Sequence, residues 1–181
     1  MNLYVVRHGQ TDYNLNHIVQ GITNTKLNEN GINQSNNLKK EIDKLDIDLM
    51  IVSPLERTKE TASIITEGRN IENIYDNRII ERNAGLLEEK SDIYYDREKV
   101  WDYKLNSDLG YDSEKIQYLL LRTKLFLDDI KSKYKDNNIL IVSHEATIRT
   151  LHFNIVGYNE FTKFTDFKID NCYLLKYKIE S

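Results

Sequence analysis

Two short apolar runs, each followed at once by a histidine, constrain the fold of this chain most. Residues 3–6 lead into an Arg-His-Gly sequence at His8, and residues 139–142 lead into Ser-His at His144. Apolar runs of this length, rich in β-branched residues, are typical of strands buried on both faces of a parallel sheet. In such sheets ligands bind beyond the carboxyl ends of the strands. His8 and His144 are therefore predicted to lie at one edge of the sheet, although they are far apart in sequence.

The rest of the chain alternates strand and helix patterns. Strands are predicted at residues 3–6, 49–52, 73–75, 139–142 and 171–178, and helices within 32–45, 53–68, 112–134 and 148–157. Ser53 is the predicted N-cap of the second helix and Pro54 its first residue, and Ile32 is the first apolar position of the first helix. This alternation predicts an α/β fold, a three-layer sandwich with a mainly parallel central sheet flanked by helices.

Length, charge and cysteine content limit the class of protein. A chain of 181 residues supports one substantial core, so we expect a single domain over residues 1–181. The formal net charge of -4 argues against a nucleic-acid partner, because binding to phosphate backbones needs a basic surface. No apolar run approaches the roughly 20 residues of a membrane span, and no secretory leader is visible. We expect a cytoplasmic protein without a membrane partner, whose oligomeric state is open. The single cysteine, Cys172, excludes an internal disulfide.

Residues 88–111 fit no periodic pattern. Their aromatic rings and mixed charges indicate a segment that leaves the sheet and covers the active site. Four aromatic side chains are candidates to form this cover: Tyr94, Tyr95, Trp101 and Tyr103.

Hydrogen-bond donors cluster at two predicted strand ends. Arg7, Thr11 and Asn14 lie close to His8 in a tight loop, where a guanidinium, a hydroxyl and an amide can point at one anion. A second arginine, Arg57, lies one turn into a helix that follows another strand. Each residue alone has a plainer interpretation, with His8 satisfied by a backbone carbonyl and the arginines solvated at the surface. Together they favour a site for a small anion.

Four motifs in order carry a family resemblance. They are Arg7-His8-Gly9-Gln10-Thr11 with Asn14, Gln20, Gly21, Leu27 and Gly31; the ten residues 53–62; the segment 81–88; and Val142-Ser143-His144 with Ile148 and Arg149. They resemble the motifs of the histidine phosphatase superfamily, also called the phosphoglycerate mutase-like family. The resemblance covers nearly the whole chain and implies a phosphoglycerate mutase-like fold.

The resemblance also implies a mechanism. His8 would be the nucleophile that forms a phosphohistidine, and Glu81 would donate a proton to the leaving group and later accept one from water. Three cations, Arg7, Arg57 and His144, would stabilise the charge of the phosphoryl group. Further phosphate contacts would come from Thr11, Asn14, Gln20 and Gly21. The resemblance implies no metal and no other cofactor.

The chain departs from the family pattern at three places. Glu145 follows His144 where the family usually has glycine, and we hypothesise that it disfavours multiply charged substrates or pairs with a substrate hydroxyl or amine. The loop at residues 17–19 lacks the arginine that the family usually carries there. The stretch between Glu81 and Asp112 is shorter than in family mutases.

The resulting interpretation is a metal-independent phosphomonoester hydrolase that acts on a small phosphorylated metabolite. The shortened stretch favours hydrolysis over mutase-type transfer, because a mutase needs a covering segment that excludes water from its phosphohistidine. Mutase-type phosphoryl transfer and a non-catalytic phosphate-binding module are the alternatives. Specificity would come from the covering segment and its surroundings, although a solvated surface is the plainer interpretation for most of its charged residues: Arg82, Lys90, Arg97, Lys99 and Lys104.

Overall fold

The computed structural model describes residues 1–94, 96–105 and 110–179. A five-stranded sheet with strand order β3-β2-β4-β1-β5 lies at its centre. The strands are β1 (Asn2–Arg7), β2 (Leu49–Val52), β3 (Glu72–Tyr75), β4 (Asn138–Ser143) and β5 (Leu174–Lys178). The helices are α1 (Asp12–Leu15), α2 (Glu29–Ile42), α3 (Glu56–Ile65), α4 (Arg97–Val100), α5 (Ile116–Lys133) and α6 (Glu145–Val156).

The sheet is parallel except at one edge. β1 pairs with β4, β4 with β2 and β2 with β3 in parallel, whereas β5 runs antiparallel to β1. Arg7 at the end of β1 is in register with Ser143 at the end of β4. The backbone N–H of His8 donates to the Ser143 carbonyl at 3.0 Å, and that of Ser53 donates to the Val142 carbonyl at 3.0 Å. The carboxyl ends of β1, β2 and β4 therefore meet at one edge, as the sequence predicts.

Two apolar cores cover the two faces of the sheet. On one face, Phe126 and Leu127 of α5 and Leu151 of α6 pack against strand residues. On the other face, Leu38 of α2 and Ile65 of α3 do the same. The predicted three-layer α/β sandwich is confirmed. Along the described residues, no helix has the length and apolarity that a membrane crossing requires.

Two helices begin later than the sequence predicts. α3 begins at Glu56 with Leu55 as its N-cap, because the Ser53 hydroxyl is engaged elsewhere, 2.6 Å from the imidazole of His144. α5 begins at Ile116, since Asp112 has a left-handed backbone with φ of 53°. The predictions that Pro54 opens α3 and that Asp112 opens α5 are therefore wrong.

Two smaller predictions also fail. The last strand begins at Leu174 rather than at residue 171, because Cys172 has φ of 54° and its N–H donates to the Arg7 carbonyl. Ile32 is 44% exposed, and Gly31 takes the buried position in the first turn of α2. A Cβ on Gly31 would lie 2.1 Å from the carbonyl oxygen of Gln10, so glycine lets α2 approach the loop after β1.

Candidate active site

The loop after β1 holds His8 as a buried, oriented imidazole. His8 is 2% exposed, and its Nδ1 lies 2.7 Å from the carbonyl oxygen of Gly9. Because a carbonyl only accepts, Nδ1 carries the proton of this hydrogen bond and Nε2 keeps its lone pair. Burial, together with the charges of Arg57 and Arg7, holds the pKa of His8 well below its ordinary value. The ring is therefore neutral near pH 7, the state that a nucleophile requires.

Two arginines face the same cavity as His8. Arg57 is fully buried, and its Nη1 and Nη2 donate to the carbonyls of Thr23 and Gly21, each at 2.8 Å. Arg7 donates from Nη1 to the Ile169 carbonyl at 2.6 Å. Burial lowers the pKa of Arg57 to about 10, so it stays cationic at neutral pH. Both guanidiniums are anchored through terminal nitrogens, which leaves the Nε of each for a ligand.

His144 lies beside His8, with the ring centroids 5.2 Å apart and the rings edge to face. Its Nε2 is 2.6 Å from the Ser53 hydroxyl. Burial and the charges of Arg57 and Arg7 hold the pKa of His144 well below its ordinary value. In this structure the third expected cation is thus a neutral ring near pH 7. It still donates from Nδ1 when the Ser53 hydroxyl donates to Nε2.

Three buried donors at this site have nothing to donate to. Within residues 1–94, 96–105 and 110–179, the buried side-chain nitrogens without a hydrogen-bond partner are Arg7 Nε, Arg57 Nε and His144 Nδ1. A buried polar group left unpaired costs about 1–3 kcal/mol, and such groups are rare in folded proteins. Arg7 and Arg57 line the same cavity as His8 and the His144 ring lies against the His8 ring, so an oxyanion bound next to His8 is the kind of partner that these donors lack. The donor set fits a phosphoryl group.

Glu81 sits where α6 begins. Its carboxylate accepts from the backbone N–H of Arg82 at 2.8 Å, of Thr147 at 3.3 Å and of Ala146 at 3.4 Å. Burial raises the pKa of Glu81, and the Arg82 N–H and the Arg57 charge offset part of that increase. A raised pKa favours the protonated carboxyl that a proton donor needs. Arg122, which the sequence did not single out, donates from Nη2 to the Glu81 carbonyl at 3.1 Å.

The loop residues expected to contact phosphate divide into two groups. Asn14, Gln20 and Gly21 line the cavity. Thr11 does not: it is fully buried, and its hydroxyl bonds to Asn14 Oδ1 at 3.1 Å and to Gln20 Oε1 at 3.0 Å. The Thr11 side chain caps α1, so it positions the loop instead of offering a donor to the cavity.

Glu88 holds the loop that anchors Arg57. Its Oε1 accepts from the N–H of Ile22 and of Ala84, each at 3.0 Å. Its Oε2 accepts from the N–H of Thr23 at 3.0 Å and from the Thr23 hydroxyl at 2.8 Å. The carboxylate therefore fixes residues 21–23 against the segment that carries Glu81. Sequence reasoning places this residue in a motif and assigns it no role of its own.

The covering segment contributes one wall of a cavity of about 330 Å³. Arg97, Val100 and Trp101 line it. The guanidinium groups of Arg82 and Arg149 lie over the Trp101 ring, 5.1 Å and 4.4 Å from its centroid. Of the four aromatic residues expected to cover the site, the three tyrosines are placed differently from Trp101. Tyr94 is exposed, Tyr103 packs against Phe164, and Tyr95 lies outside the described residues.

The charged residues of this region also divide. Arg82 is 6% exposed and lines the cavity, so it is not a solvated surface charge, whereas Arg97 lines the cavity and is exposed. Lys99 pairs with Asp96 at 3.1 Å, while Lys90 and Lys104 are exposed. In the described part of the chain, no three His, Cys, Asp or Glu side chains are grouped so as to hold a metal ion.

Glu145 lines the cavity next to Arg7. Its Oε2 is 3.2 Å from Arg7 Nη2 and its Oε1 is 2.8 Å from Arg149 Nη2. Burial opposes ionisation of this carboxyl, but the charges of Arg7 and Arg149 outweigh burial and hold the pKa of Glu145 below its ordinary value. Glu145 is therefore an anion between two cations in the cavity that His8 also lines.

One known protein family covers this chain almost from end to end. The histidine phosphatase superfamily (branch 1) matches residues 3–181. The chain belongs to this superfamily. The resemblance found in the sequence is confirmed. The family and the names of its relatives support a phosphatase enzyme.

Relatives of this histidine phosphatase bear two kinds of name. Phosphoserine phosphatase 1 of Hydrogenobacter thermophilus is 29% identical over 177 residues, which cover 95% of this chain and 83% of that protein. A probable phosphoglycerate mutase of Erwinia tasmaniensis is 31% identical over 162 residues, which cover 87% of this chain and 75% of that protein.

Solved structures share the fold. The alpha-ribazole phosphatase of Shigella flexneri superposes with a TM-score of 0.86 at 26% identity, covering 99% of this chain and 91% of that one. A phosphoserine phosphatase of Entamoeba histolytica superposes with a TM-score of 0.81 at 24% identity, covering 97% and 89% of the two chains. The phosphoglycerate mutase-like fold of this histidine phosphatase is thereby confirmed.

Proposed function

We propose that this histidine phosphatase is a metal-independent phosphomonoester hydrolase that acts through a phosphohistidine at His8 on a small phosphorylated metabolite. One observation carries the proposal: a buried, neutral imidazole with a free Nε2 stands beside three unsatisfied donors. A cavity of about 330 Å³ suits a metabolite rather than a polymer.

In the first step, the Nε2 lone pair of His8 attacks phosphorus and the bond to the leaving alcohol oxygen breaks. Glu81 gives its proton to that oxygen, so the alcohol leaves neutral. The developing charge on the equatorial oxygens is met by Arg7, Arg57 and His144. Hydrogen bonds to charged groups contribute about 1.5–3 kcal/mol each, so three donors together are a large part of the stabilisation.

In the second step, water attacks phosphorus and the P–N bond to His8 breaks. The water proton passes to the Glu81 carboxylate, which restores the acid, and inorganic phosphate leaves. His8 returns to its starting tautomer because Nδ1 keeps its hydrogen bond to the Gly9 carbonyl throughout. The chain's own residues thus supply every proton transfer of the cycle.

Hydrolysis is favoured over mutase-type transfer by the rim of the cavity. His17, Asp92 and Arg97 line it and are exposed to solvent. A rim of exposed polar side chains gives water a route to the phosphohistidine, whereas transfer to a second alcohol requires water to be excluded.

The test is hydrolysis of para-nitrophenyl phosphate by the purified protein with and without a chelator. We expect activity that the chelator does not reduce and that His8→Ala abolishes. His17→Ala, which removes an exposed histidine at the rim, is the matched control and should retain most of the activity. A requirement for a divalent metal, or full activity in His8→Ala, would contradict the proposal. Isomerisation of 3-phosphoglycerate primed by a bisphosphate and faster than phosphate release would instead support a mutase.

A further inference from the structure

Two arginines converge on one carboxylate beside the phosphate site. The two oxygens of Glu145 are shared between them, Oε2 lying 3.2 Å from Arg7 Nη2 and Oε1 lying 2.8 Å from Arg149 Nη2. Paired guanidiniums are the preferred protein site for carboxylates and phosphates. Here the anion between them belongs to the protein itself.

Both arginines are held in place by contacts other than Glu145. Arg7 donates to the Ile169 carbonyl at 2.6 Å. Arg149 is 2% exposed, and its Nε donates to the Phe167 carbonyl at 2.9 Å. Its guanidinium also lies over the Trp101 ring at 4.4 Å. The two cations would therefore stay close together if the carboxylate between them were removed.

We propose that Glu145 fills, from within the chain, an anion subsite formed by Arg7 and Arg149, and so selects phosphomonoesters whose alcohol carries no second anionic group near the phosphate. The proposal rests on the proposed phosphatase function and names the substrate class of that site. Substrates with a neutral polyol or an ammonium group fit it, whereas those with a carboxylate or a second phosphate next to the ester do not.

A second anion on the substrate is repelled by the Glu145 carboxylate. It also loses the attraction of Arg7 and Arg149, because Glu145 already pairs with both. The Glu145 side chain is 24% exposed, more than Arg7 at 13% and Arg149 at 2%, and it lines the cavity, so an incoming anion meets a negative charge at the arginine pair. A substrate hydroxyl or ammonium can instead donate to a Glu145 oxygen. The same carboxylate thus excludes one class of leaving group and binds another.

The sharpest probes are glycerol 3-phosphate and 3-phosphoglycerate, because they differ only in a CH₂OH group against a carboxylate. Their dissociation constants are measured by calorimetry in a His8→Ala background, where neither ester turns over. Their kcat/KM values are measured with His8 intact. Glu145→Ala removes charge and volume, and Glu145→Gln removes charge while keeping the shape. Glu29→Ala is the matched control, since Glu29 is likewise the first residue of a helix and is exposed.

We expect the unsubstituted site to prefer glycerol 3-phosphate. Glu145→Ala should shift the ratio of the two dissociation constants toward 3-phosphoglycerate by at least about tenfold, the value of one charge-assisted hydrogen bond. Glu145→Gln should shift it less, and Glu29→Ala not at all. Adding Arg149→Met to Glu145→Ala should remove the gain.

An unchanged ratio in both Glu145 variants, or a preference for 3-phosphoglycerate before any substitution at Glu145, would overturn the proposal. The calorimetric readout separates it from the proposed function. A shifted binding ratio without any hydrolysis of aryl phosphate by the His8-intact protein would support the subsite and contradict the phosphatase mechanism.

Discussion

Replacing Glu88 with glutamine should weaken both the fold and the catalysis of this enzyme. The Glu88 carboxylate accepts four hydrogen bonds, two at each oxygen, from Ile22, Thr23 and Ala84. Glutamine offers one acceptor oxygen, and its amide group cannot accept from the two remaining donors. Two bonds are lost, and the other two lose their charged acceptor. At about 1–2 kcal/mol for each lost bond, unfolding becomes easier by roughly 2–4 kcal/mol.

This change is measurable in two ways. For a domain of this size, about 1 kcal/mol corresponds to roughly 2–4 °C in Tm, so thermal unfolding of Glu88→Gln should occur roughly 4–16 °C lower. Catalysis should fall as well, because the carbonyls of Gly21 and Thr23 orient Arg57. Loss of one well-aligned contact to the phosphoryl group lowers kcat/KM by about tenfold to a hundredfold.

The control is the neighbouring carboxylate. Glu89 is exposed, and its one described side-chain hydrogen bond is a 3.4 Å contact with the Tyr13 hydroxyl. Glu89→Gln should change the free energy of unfolding by no more than about 0.5 kcal/mol. If Glu88→Gln matched Glu89→Gln in both Tm and kcat/KM, the argument that Glu88 holds the loop at residues 21–23, which anchors Arg57, would be refuted.

Two further predictions concern the same loop and the ionisation of the site. Gly21→Ala should lower kcat/KM more than Gly68→Ala. Both glycines have positive φ, but a Cβ at position 21 would lie 2.1 Å from the Glu88 carboxylate, whereas position 68 is open. Equal losses of kcat/KM in the two variants would contradict this prediction. The pH profile of kcat/KM should be bell-shaped. On the acid side, kcat/KM falls as the pH is lowered, because His8 takes up a proton with a pKa well below 6.5. On the alkaline side, kcat/KM falls as the pH is raised, because Glu81 loses its proton with a pKa above 4.5. Glu81→Gln should remove the alkaline decline, and a decline that persisted would exclude Glu81 as its source.

The sheet edge could be predicted because it depends on local sequence. The apolar runs before His8 and His144 are long enough to be buried strands, and parallel strands end at one edge. The arginines at positions 7 and 57 follow strand ends in the same way. These residues needed no knowledge of distant contacts: His8, Arg7 and Arg57 line one cavity, and the His144 ring lies against the His8 ring.

The supporting contacts could not be predicted, because they join segments far apart in sequence. The sequence pattern predicts a helix cap at Ser53, but its hydroxyl bonds instead to His144, 91 positions away. Arg122 supports the Glu81 carbonyl from 41 positions away. A polar residue such as Arg122 fits the helical pattern equally well whether its side chain is exposed to solvent or makes a buried contact. The Glu145–Arg149 pair is the exception, since its i,i+4 spacing on α6 is visible in the sequence.

The most direct test of the mechanism is to find the phosphoryl group on the enzyme. The protein is mixed with a phosphomonoester, quenched within a single turnover, and its peptides are analysed by mass spectrometry under alkaline conditions that preserve phosphohistidine. We predict one phosphoryl group on the peptide that contains His8, and none after His8→Ala. A phosphoryl group on any other residue, or product formation with no labelled intermediate at any quench time, would contradict the account.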